Sequence, residues 1–256
     1  MPPDPTTTPP PTRAAPHPLS VALLLADARL PGGGHAHSAS LEPALRGGMP
    51  PADVPAWMVG RATTVGLVEA GTAVVATRLL ADAAPEDPDT AGRLDAVVRA
   101  WAARTPSPAL REASRLLGRG YLRVARALWP GSAAVAVAVA HEATSRRHGA
   151  PRGGGVLPRP VVLGAIAAAA GLPAEDVVRL TVYDDAQTAA SALLKLEPLD
   201  PLAPARWVLD ACAAAEEHVL RVAACATPED IPASGAPLTE GWAEAHALTT
   251  QRLFRA

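Results

Sequence analysis

The stretch Glu175–Leu196, which reads EDVVRLTVYDDAQTAASALLKL, predicts a long α-helix that Glu197 and Pro198 end. On its N-terminal side, Val161–Ala170 is typical of an apolar helix closed by Gly171. On its C-terminal side, another helix is expected from Pro201 to about Ala224. Three consecutive helices with short connections are characteristic of an all-α protein.

The rest of the chain extends this pattern. Ser107 and Pro108 form a helix start, with serine at the cap and proline at the first helical position. Residues 132–147 are ambiguous because their valines alternate as in a strand, and we favour a helix because of the intervening alanines and the length. The remaining predicted helices cover residues 19–27, 38–46, 53–65, 69–81, 90–104 and 107–129, with a last helix capped by Thr239.

No hairpin signal and no alternation of strands and helices is present in the sequence. We therefore predict an all-α, single-domain bundle of roughly ten helices. Residues 1–18 are rich in proline and threonine and are expected to be a disordered tail. The domain is expected to cover residues 19–256, with a C-terminal tail at 252–256.

Composition limits the function. The net charge is -2, with 23 basic and 25 acidic residues, which gives no electrostatic reason to bind nucleic acid. Cys212 and Cys225 fall on one predicted helix about 20 Å apart, so we expect reduced thiols rather than a disulfide. Since neither a signal peptide nor an uninterrupted apolar run of membrane-spanning length is apparent, the sequence predicts a cytoplasmic protein without a membrane span.

The segment from Leu30 to Glu42, called the glycine loop below, concentrates special residues in one turn: LPGGGHAHSASLE. Its glycines first suggest a phosphate-binding loop. Such a loop needs a lysine directly after its second glycine, whereas the only lysine is Lys195, which no glycine-rich loop precedes. We therefore interpret the glycines as turn residues and expect no nucleotide site.

The histidines of the glycine loop suggest metal binding. His35 and His37 are two residues apart, and Glu42 follows. A small helical metal-dependent enzyme that uses these three residues is an alternative hypothesis. Because no third ligand is fixed beside the two histidines, we favour an interface role for them. For the other histidines we expect surface or packing roles (His141, His148 and His218), and for the adjacent carboxylates we expect solvated faces (Asp184 with Asp185, and Glu216 with Glu217).

Four segments, in the same order along the chain, resemble the urease accessory protein UreF family. The first runs from Leu30-Pro31 to Glu42, and the second from Pro160 to Leu172. The third is Ser191-Ala192-Leu193-Leu194-Lys195-Leu196-Glu197-Pro198-Leu199, and the fourth is His246 followed by Arg252-Leu253-Phe254-Arg255. The chain departs from the family pattern at some positions. The family usually has an aromatic residue where His35 stands and an arginine where Lys195 stands, and it commonly has a glycine where Ser40 stands.

The resemblance implies a non-catalytic function. Members of the family are all-α homodimers that join a UreD/UreH-type accessory protein, recruit the GTPase UreG and help to deliver nickel to apo-urease. It therefore implies that the complex handles nickel, with no cofactor bound tightly by this chain. It also implies that the C-terminal tail folds back, which places Arg252 or Arg255 near His35. The partner-binding residues expected on this basis are Pro31, Gly33, Gly34, His35, His37, Ser38, Glu42, Lys195, Arg252, Leu253, Phe254 and Arg255.

Overall fold

A computed structural model describes residues 15–84, 87–147, 156–249 and 253–254 of the chain. The described residues form α-helices and short 3₁₀ turns, which confirms the all-α prediction. Most of the predicted tail, residues 1–14, lies outside the described residues. The twelve α-helices in the described part are α1 (Pro18–Leu25), α2 (Leu41–Arg46), α3 (Val54–Ala62), α4 (Val65–Ala81), α5 (Pro88–Ala103), α6 (Pro108–Leu128), α7 (Ala133–Arg147), α8 (Arg159–Ala170), α9 (Ala174–Leu196), α10 (Leu202–Glu216), α11 (Val219–Ala223) and α12 (Pro237–Ala247).

The ambiguous segment 132–147 is helical, as expected, and forms α7. The predicted start of α6 is also confirmed, because the Ser107 hydroxyl accepts a hydrogen bond from the Leu110 amide. At α12 the prediction was wrong. The helix begins at Pro237, and Thr239 lies buried inside it, where its hydroxyl accepts a hydrogen bond from Trp57 Nε1 at 3.2 Å. Proline at the first helical position starts this helix without a side-chain cap.

Two other predicted boundaries were wrong. The helix expected from 201 to 224 is interrupted by a turn at Glu217 and His218, so α10 and α11 are separate and Cys212 and Cys225 do not share a helix. Both cysteines are free thiols. The helix expected from Ser38 begins only at Leu41, because Ala39 and Ser40 adopt positive φ angles of 49° and 69°. That left-handed backbone cannot continue a right-handed helix.

The apolar side chains form two clusters, and α9 belongs to both. Its N-terminal half, including Val177 and Val178, packs into a cluster with α4, α5, α6, α7 and α8. Its C-terminal half, including Ala189 and Leu193, packs with α2, α3 and α10. Helix α9 therefore contributes side chains to both apolar clusters, and the glycine loop lies against it.

The central contact joins α4 to α8. At Gly164 of α8 a Cβ atom would lie 2.7 Å from the Ala73 carbonyl oxygen, so the two helices touch through their backbones. The helical stretch Pro51–Ala81, which includes α4, has the length and hydropathy of a membrane span among the described residues. Because 67% of its apolar window is buried within the protein, it has the character of a core helix, and core helices commonly meet the same criteria.

Candidate functional site

The glycine loop is shaped by backbone geometry that few residues adopt. Gly33 has a φ angle of 96°, and a 3₁₀ turn at Gly34–Ala36 follows it. Ala39 and Ser40 are the only non-glycine residues in the described ranges with positive φ angles. Positive φ angles thus occur on both sides of the 3₁₀ turn, so the shape of the loop depends on special residues rather than on repeating hydrogen bonds.

Helix α6 supports the loop by close contact. A Cβ atom at Gly120 would lie 1.9 Å from the Gly32 carbonyl oxygen, so only glycine allows this approach. Gly32 in turn lies against the Tyr121 ring. Arg123 Nη2 donates a hydrogen bond to the Pro31 carbonyl oxygen at 2.8 Å. One turn of α6 therefore holds the start of the loop by both packing and hydrogen bonding.

The predicted site residues of the loop divide by exposure. Pro31 is exposed and Gly33 and Gly34 are partly exposed, whereas His37 and Ser38 are buried. The Ser38 hydroxyl accepts a hydrogen bond from the Glu42 amide at 3.3 Å, which supports the first turn of α2. The side chain of His35 lies outside the described part of the structure. The buried His37 and Ser38 therefore support the loop from the protein interior, while Pro31, Gly33 and Gly34 lie at its surface.

Glu42 anchors the C-terminal tail. Its side chain is fully buried, and its two oxygens accept hydrogen bonds from the Leu253 amide at 2.9 Å and the Phe254 amide at 2.7 Å. Arg46 pairs with the same carboxylate at 2.9 Å, and His246 Nε2 lies 3.6 Å from it. Amide donors and a guanidinium satisfy a buried carboxylate that would otherwise be costly. The sequence-based expectation that the tail folds back agrees with this contact, although Arg252 and Arg255 lie outside the described residues.

The two described tail residues differ sharply in environment. Phe254 is 4% exposed, its ring centroid lies 5.2 Å from Lys195 Nζ, and its carbonyl oxygen lies 3.4 Å from His246 Nε2. Leu253 is 60% exposed. Lys195 thus contributes a cation–π contact that holds the tail. Leu253 remains as an apolar side chain on the surface beside the loop.

A cavity of about 230 Å³ lies between the glycine loop, the tail and α9. Lys195, Gln187 and Ser191 line it from α9, and Phe254 lines it from the tail. The glycine loop, Lys195 and Phe254 of the tail, which the sequence analysis expected to bind a partner, therefore border the same cavity. The geometry can bind a protein segment, because it offers a mixed apolar and polar hollow rather than a set of reactive groups.

A buried ionic cluster below the loop was not anticipated. Arg159 Nη1 donates a hydrogen bond to Asp184 at 2.7 Å, and its Nε lies 3.5 Å from Glu69. The Tyr121 hydroxyl donates to Asp184 at 3.3 Å, and Trp101 Nε1 donates to Glu69 at 2.7 Å. A cavity of about 100 Å³, lined by the loop and by this cluster, separates the two.

Asp185 and Arg61 complete this cluster. Arg61 donates two hydrogen bonds to the Asp185 carboxylate, at 2.9 and 2.8 Å. Burial raises the pKa of Asp184 and of Glu69 above their ordinary values. Burial acts in the same sense on Asp185, but the charge of Arg61 and its hydrogen bonds outweigh burial and lower the pKa of that carboxyl.

The prediction that Asp184 and Asp185 form a solvated face was therefore wrong. Asp185 is 8% exposed, and it follows the buried Thr181 by four residues and precedes the buried Ala189 by four. Residues four apart lie on one face of a helix, so this spacing was a signal that Asp185 occupies the buried stripe. The exposed faces expected for Glu216 and Glu217 and the packing role of His141, which pairs with Asp95 at 2.8 Å, are confirmed.

The described residues contain no group of three histidine, cysteine or acidic side chains positioned to hold a metal ion. Glu42, one member of the alternative metal set, uses both oxygens to bind the tail amides. No observation in the described ranges therefore favours the metal-dependent enzyme.

Comparison with known proteins identifies related sequences. The family model named UreF matches residues 50–212. A urease accessory protein UreF of Mycobacterium sp. (strain JLS) is 35% identical over 243 residues, covering 92% of this chain and 98% of the relative. Proteins of the same name from Mycobacterium marinum and Mycobacterium tuberculosis (strain H37Rv) are 36% and 37% identical over 71% and 72% of this chain and 76% and 75% of their own lengths. The glycine loop and the tail lie outside the part matched by the family model.

Proposed function

Because the chain belongs to the UreF family, we propose that it is a urease accessory protein that acts as a non-catalytic adaptor in urease maturation. The observation that carries this proposal is the similarity to a mycobacterial UreF over 98% of that relative's length. A match of this extent includes the glycine loop as well as most of the helical core. The adaptor acts in the cytoplasm, where it bridges other proteins.

The partners follow from the family. We propose that a homodimer of this chain binds a UreD/UreH-type accessory protein and recruits the GTPase UreG, whose GTP hydrolysis it modulates. The assembly then delivers nickel to apo-urease. Nickel is cargo of the complex, and this chain holds no tightly bound cofactor. The energy source lies in the GTPase, which agrees with the absence of a phosphate-loop lysine in this sequence.

The tail anchor supports a partner surface built from the loop and the tail. The buried Glu42 accepts the hydrogen bonds of the tail amides, and the exposed Lys195 contacts the buried ring of Phe254. Pro31 of the loop and Leu253 of the tail are both exposed. An apolar side chain held in the open beside a shaped turn is a feature of a binding surface, because its burial by a partner is favourable. Phe254 thus positions the surface, and Leu253 supplies contact area.

Complementation of a deletion strain tests this proposal. We expect the wild-type chain to restore urease activity at limiting nickel and to co-purify with the UreD-type protein and UreG. Phe254→Ala removes the buried anchor of the tail, so we expect at least about a tenfold loss of activation and of co-purification. The matched control is Leu220→Ala, which truncates an exposed side chain on α11 and should leave both unchanged.

Two outcomes would contradict the proposal. One is full urease activity in the deletion strain, together with failure of the three accessory proteins to associate. The other is equal loss in the Phe254→Ala and Leu220→Ala variants, which would indicate a general effect of truncation rather than a partner surface.

A further inference from the structure

Helix α6 carries a row of arginines. Arg111, Arg115, Arg119, Arg123 and Arg126 follow one another at intervals of four, four, four and three residues. Since successive residues turn by about 100° on a helix, these side chains share one face. Arg115 lies over the Trp101 ring at 5.9 Å, whereas Arg119, Arg123 and Arg126 are exposed.

The exposed arginines line a groove of about 550 Å³ between α6 and α7. Arg146 of α7 joins them, and the apolar lining comes from Leu122, Val139 and Ala143. We call this feature the arginine groove. The groove therefore combines a row of guanidinium groups with an apolar floor.

Among the described residues, four guanidinium groups and one carboxylate line the arginine groove. Glu142 is that carboxylate, and it is buried. It binds Arg146 at 2.7 Å and accepts hydrogen bonds from the Val156 and Leu157 amides at 2.9 and 3.2 Å. The sequence between α7 and α8 contains no acidic residue. The groove is thus strongly positive on a chain whose net charge is -2, so its charge is local and not a consequence of composition.

The groove is continuous with the glycine loop, because Arg123 of the groove donates its hydrogen bond to the Pro31 carbonyl oxygen of the loop. A protein bound at the loop therefore has the groove beside it. A protein segment also fits the groove better than nucleic acid does, because the apolar floor rewards apolar side chains and the chain as a whole is acidic.

We propose that the arginine groove docks an acidic, partly apolar segment of a protein partner in urease maturation. Carboxylates of that segment pair with Arg119, Arg123 and Arg126, since guanidinium groups bind carboxylates in a bidentate manner. Its apolar side chains cover Leu122 and Val139. The proposal rests on the adaptor role and adds a second, electrostatic contact to the surface formed by the loop and the tail.

Association kinetics of the purified full-length chain test the groove. The probes are the purified UreD-type protein, UreG and apo-urease, each measured separately at about 0.05 M and about 0.5 M salt. We expect Arg119→Glu/Arg126→Glu to slow association with one of the three at least about tenfold at low salt and to flatten the salt dependence, because opposite charges steer encounter. Arg119→Lys/Arg126→Lys keeps the charge and should associate at nearly the wild-type rate.

The matched control is Arg99→Glu/Arg206→Glu, which makes the same change in net charge at exposed positions outside the groove. The inference would be overturned if the two double Arg→Glu variants slowed association equally. It would also be overturned if Arg119→Glu/Arg126→Glu changed the association rate less than about twofold. Either result would leave the adaptor role intact. If wild-type chain binds none of the three, both proposals fall. Tight binding of duplex DNA that only the groove variant loses, with protein association unchanged, would also overturn it. Thermal unfolding of each variant verifies that the fold is retained.

Discussion

Ser40 combines a left-handed backbone conformation with a buried polar side chain. Its φ angle is 69°, in the left-handed region, and it is 1% exposed. Its buried hydroxyl has no hydrogen-bond partner among the described residues. The backbone conformation costs about 1–2 kcal/mol for a non-glycine residue, and an unsatisfied buried hydroxyl adds to that cost.

Replacing Ser40 by glycine should therefore stabilise the protein. We expect Ser40→Gly to raise the free energy of unfolding by about 1 kcal/mol, after the greater flexibility of glycine in the unfolded chain is subtracted. Urea unfolding measures the change. Ser145→Gly, in the helical backbone of α7, is the control and should destabilise. A Ser40→Gly variant no more stable than wild type would show that the left-handed turn costs nothing here.

Glu42 is the second residue with a specific prediction. In Glu42→Gln, the side-chain amide nitrogen must face one of the two tail amides, so two donors oppose each other where a carboxylate accepted both. We expect a loss of about 2–3 kcal/mol in tail anchoring. Hydrogen exchange at the Leu253 and Phe254 amides should accelerate at least about tenfold.

The control for this exchange measurement is Glu217→Gln, which alters a side chain that is 76% exposed. Unchanged exchange at Leu253 and Phe254 in the Glu42→Gln variant would mean that the carboxylate does not hold the tail.

At the scale of elements, α6 links three parts of the molecule. Gly120 and Arg123 contact the glycine loop, and Tyr121 reaches Asp184 of α9. At Gly118 a Cβ atom would lie 2.2 Å from the Leu157 carbonyl oxygen, just before α8. The glycines weaken α6 as an isolated helix, since glycine is a poor helix former. Close packing on both sides compensates for that weakness.

Gly120→Ala tests the contact between α6 and the loop. The added methyl group would clash with the Gly32 carbonyl oxygen, so we expect destabilisation of about 2–3 kcal/mol despite the better helix propensity of alanine. Gly92→Ala in α5 is the matched control. No atom of the described residues lies within 4 Å of a Cβ there, so it should stabilise by about 0.5–1 kcal/mol. The two variants are compared by thermal unfolding, and equal signs would contradict the close approach.

At the scale of the whole molecule, the ionic cluster joins α3, α4, α8 and α9 beneath the loop. With every group charged, it holds three carboxylates and only two arginines, Arg61 and Arg159. Burial raises the pKa of Asp184 and Glu69, so the folded protein binds protons on them more readily than the unfolded chain does. Their contribution to stability is therefore greatest at low pH and is lost as the pH rises through their folded values.

Removing Arg159 should enlarge this effect. Without its charge, the pKa values of Asp184 and Glu69 rise further, and ionising them at high pH becomes more costly. We expect Arg159→Met to lower the free energy of unfolding by about 3–5 kcal/mol at pH 8 and by about 1 kcal/mol less at pH 5. Urea unfolding at the two pH values measures this difference.

The control for the pH dependence is Arg206→Met, an exposed arginine whose removal should cost little at either pH. If the destabilisation by Arg159→Met were larger at pH 5 than at pH 8, the proposed charge imbalance would be wrong.

The sequence alone determined the all-α class, because apolar residues at helical spacing and the capping residues of helices such as α6 are local signals. Through the resemblance to a family, it also predicted that the glycine loop, Lys195 and the tail hold partner-binding residues. Helix ends that depend on packing were harder to predict from the sequence. Thr239 resembles a cap in sequence but serves as an acceptor for Trp57, which is 182 residues away along the chain.

Only the tertiary structure decided which polar residues are buried together. Asp184 and Asp185 appear as a solvated pair in sequence. Their partners Arg159 and Arg61, and Glu69, which pairs with Arg159, lie on three other helices. The same holds for Glu42, which anchors a tail 211 residues away, and for the arginine groove between two helices. Local sequence specifies a helix because its hydrogen bonds are local, whereas burial and charge pairing depend on contacts that form only when distant segments pack together.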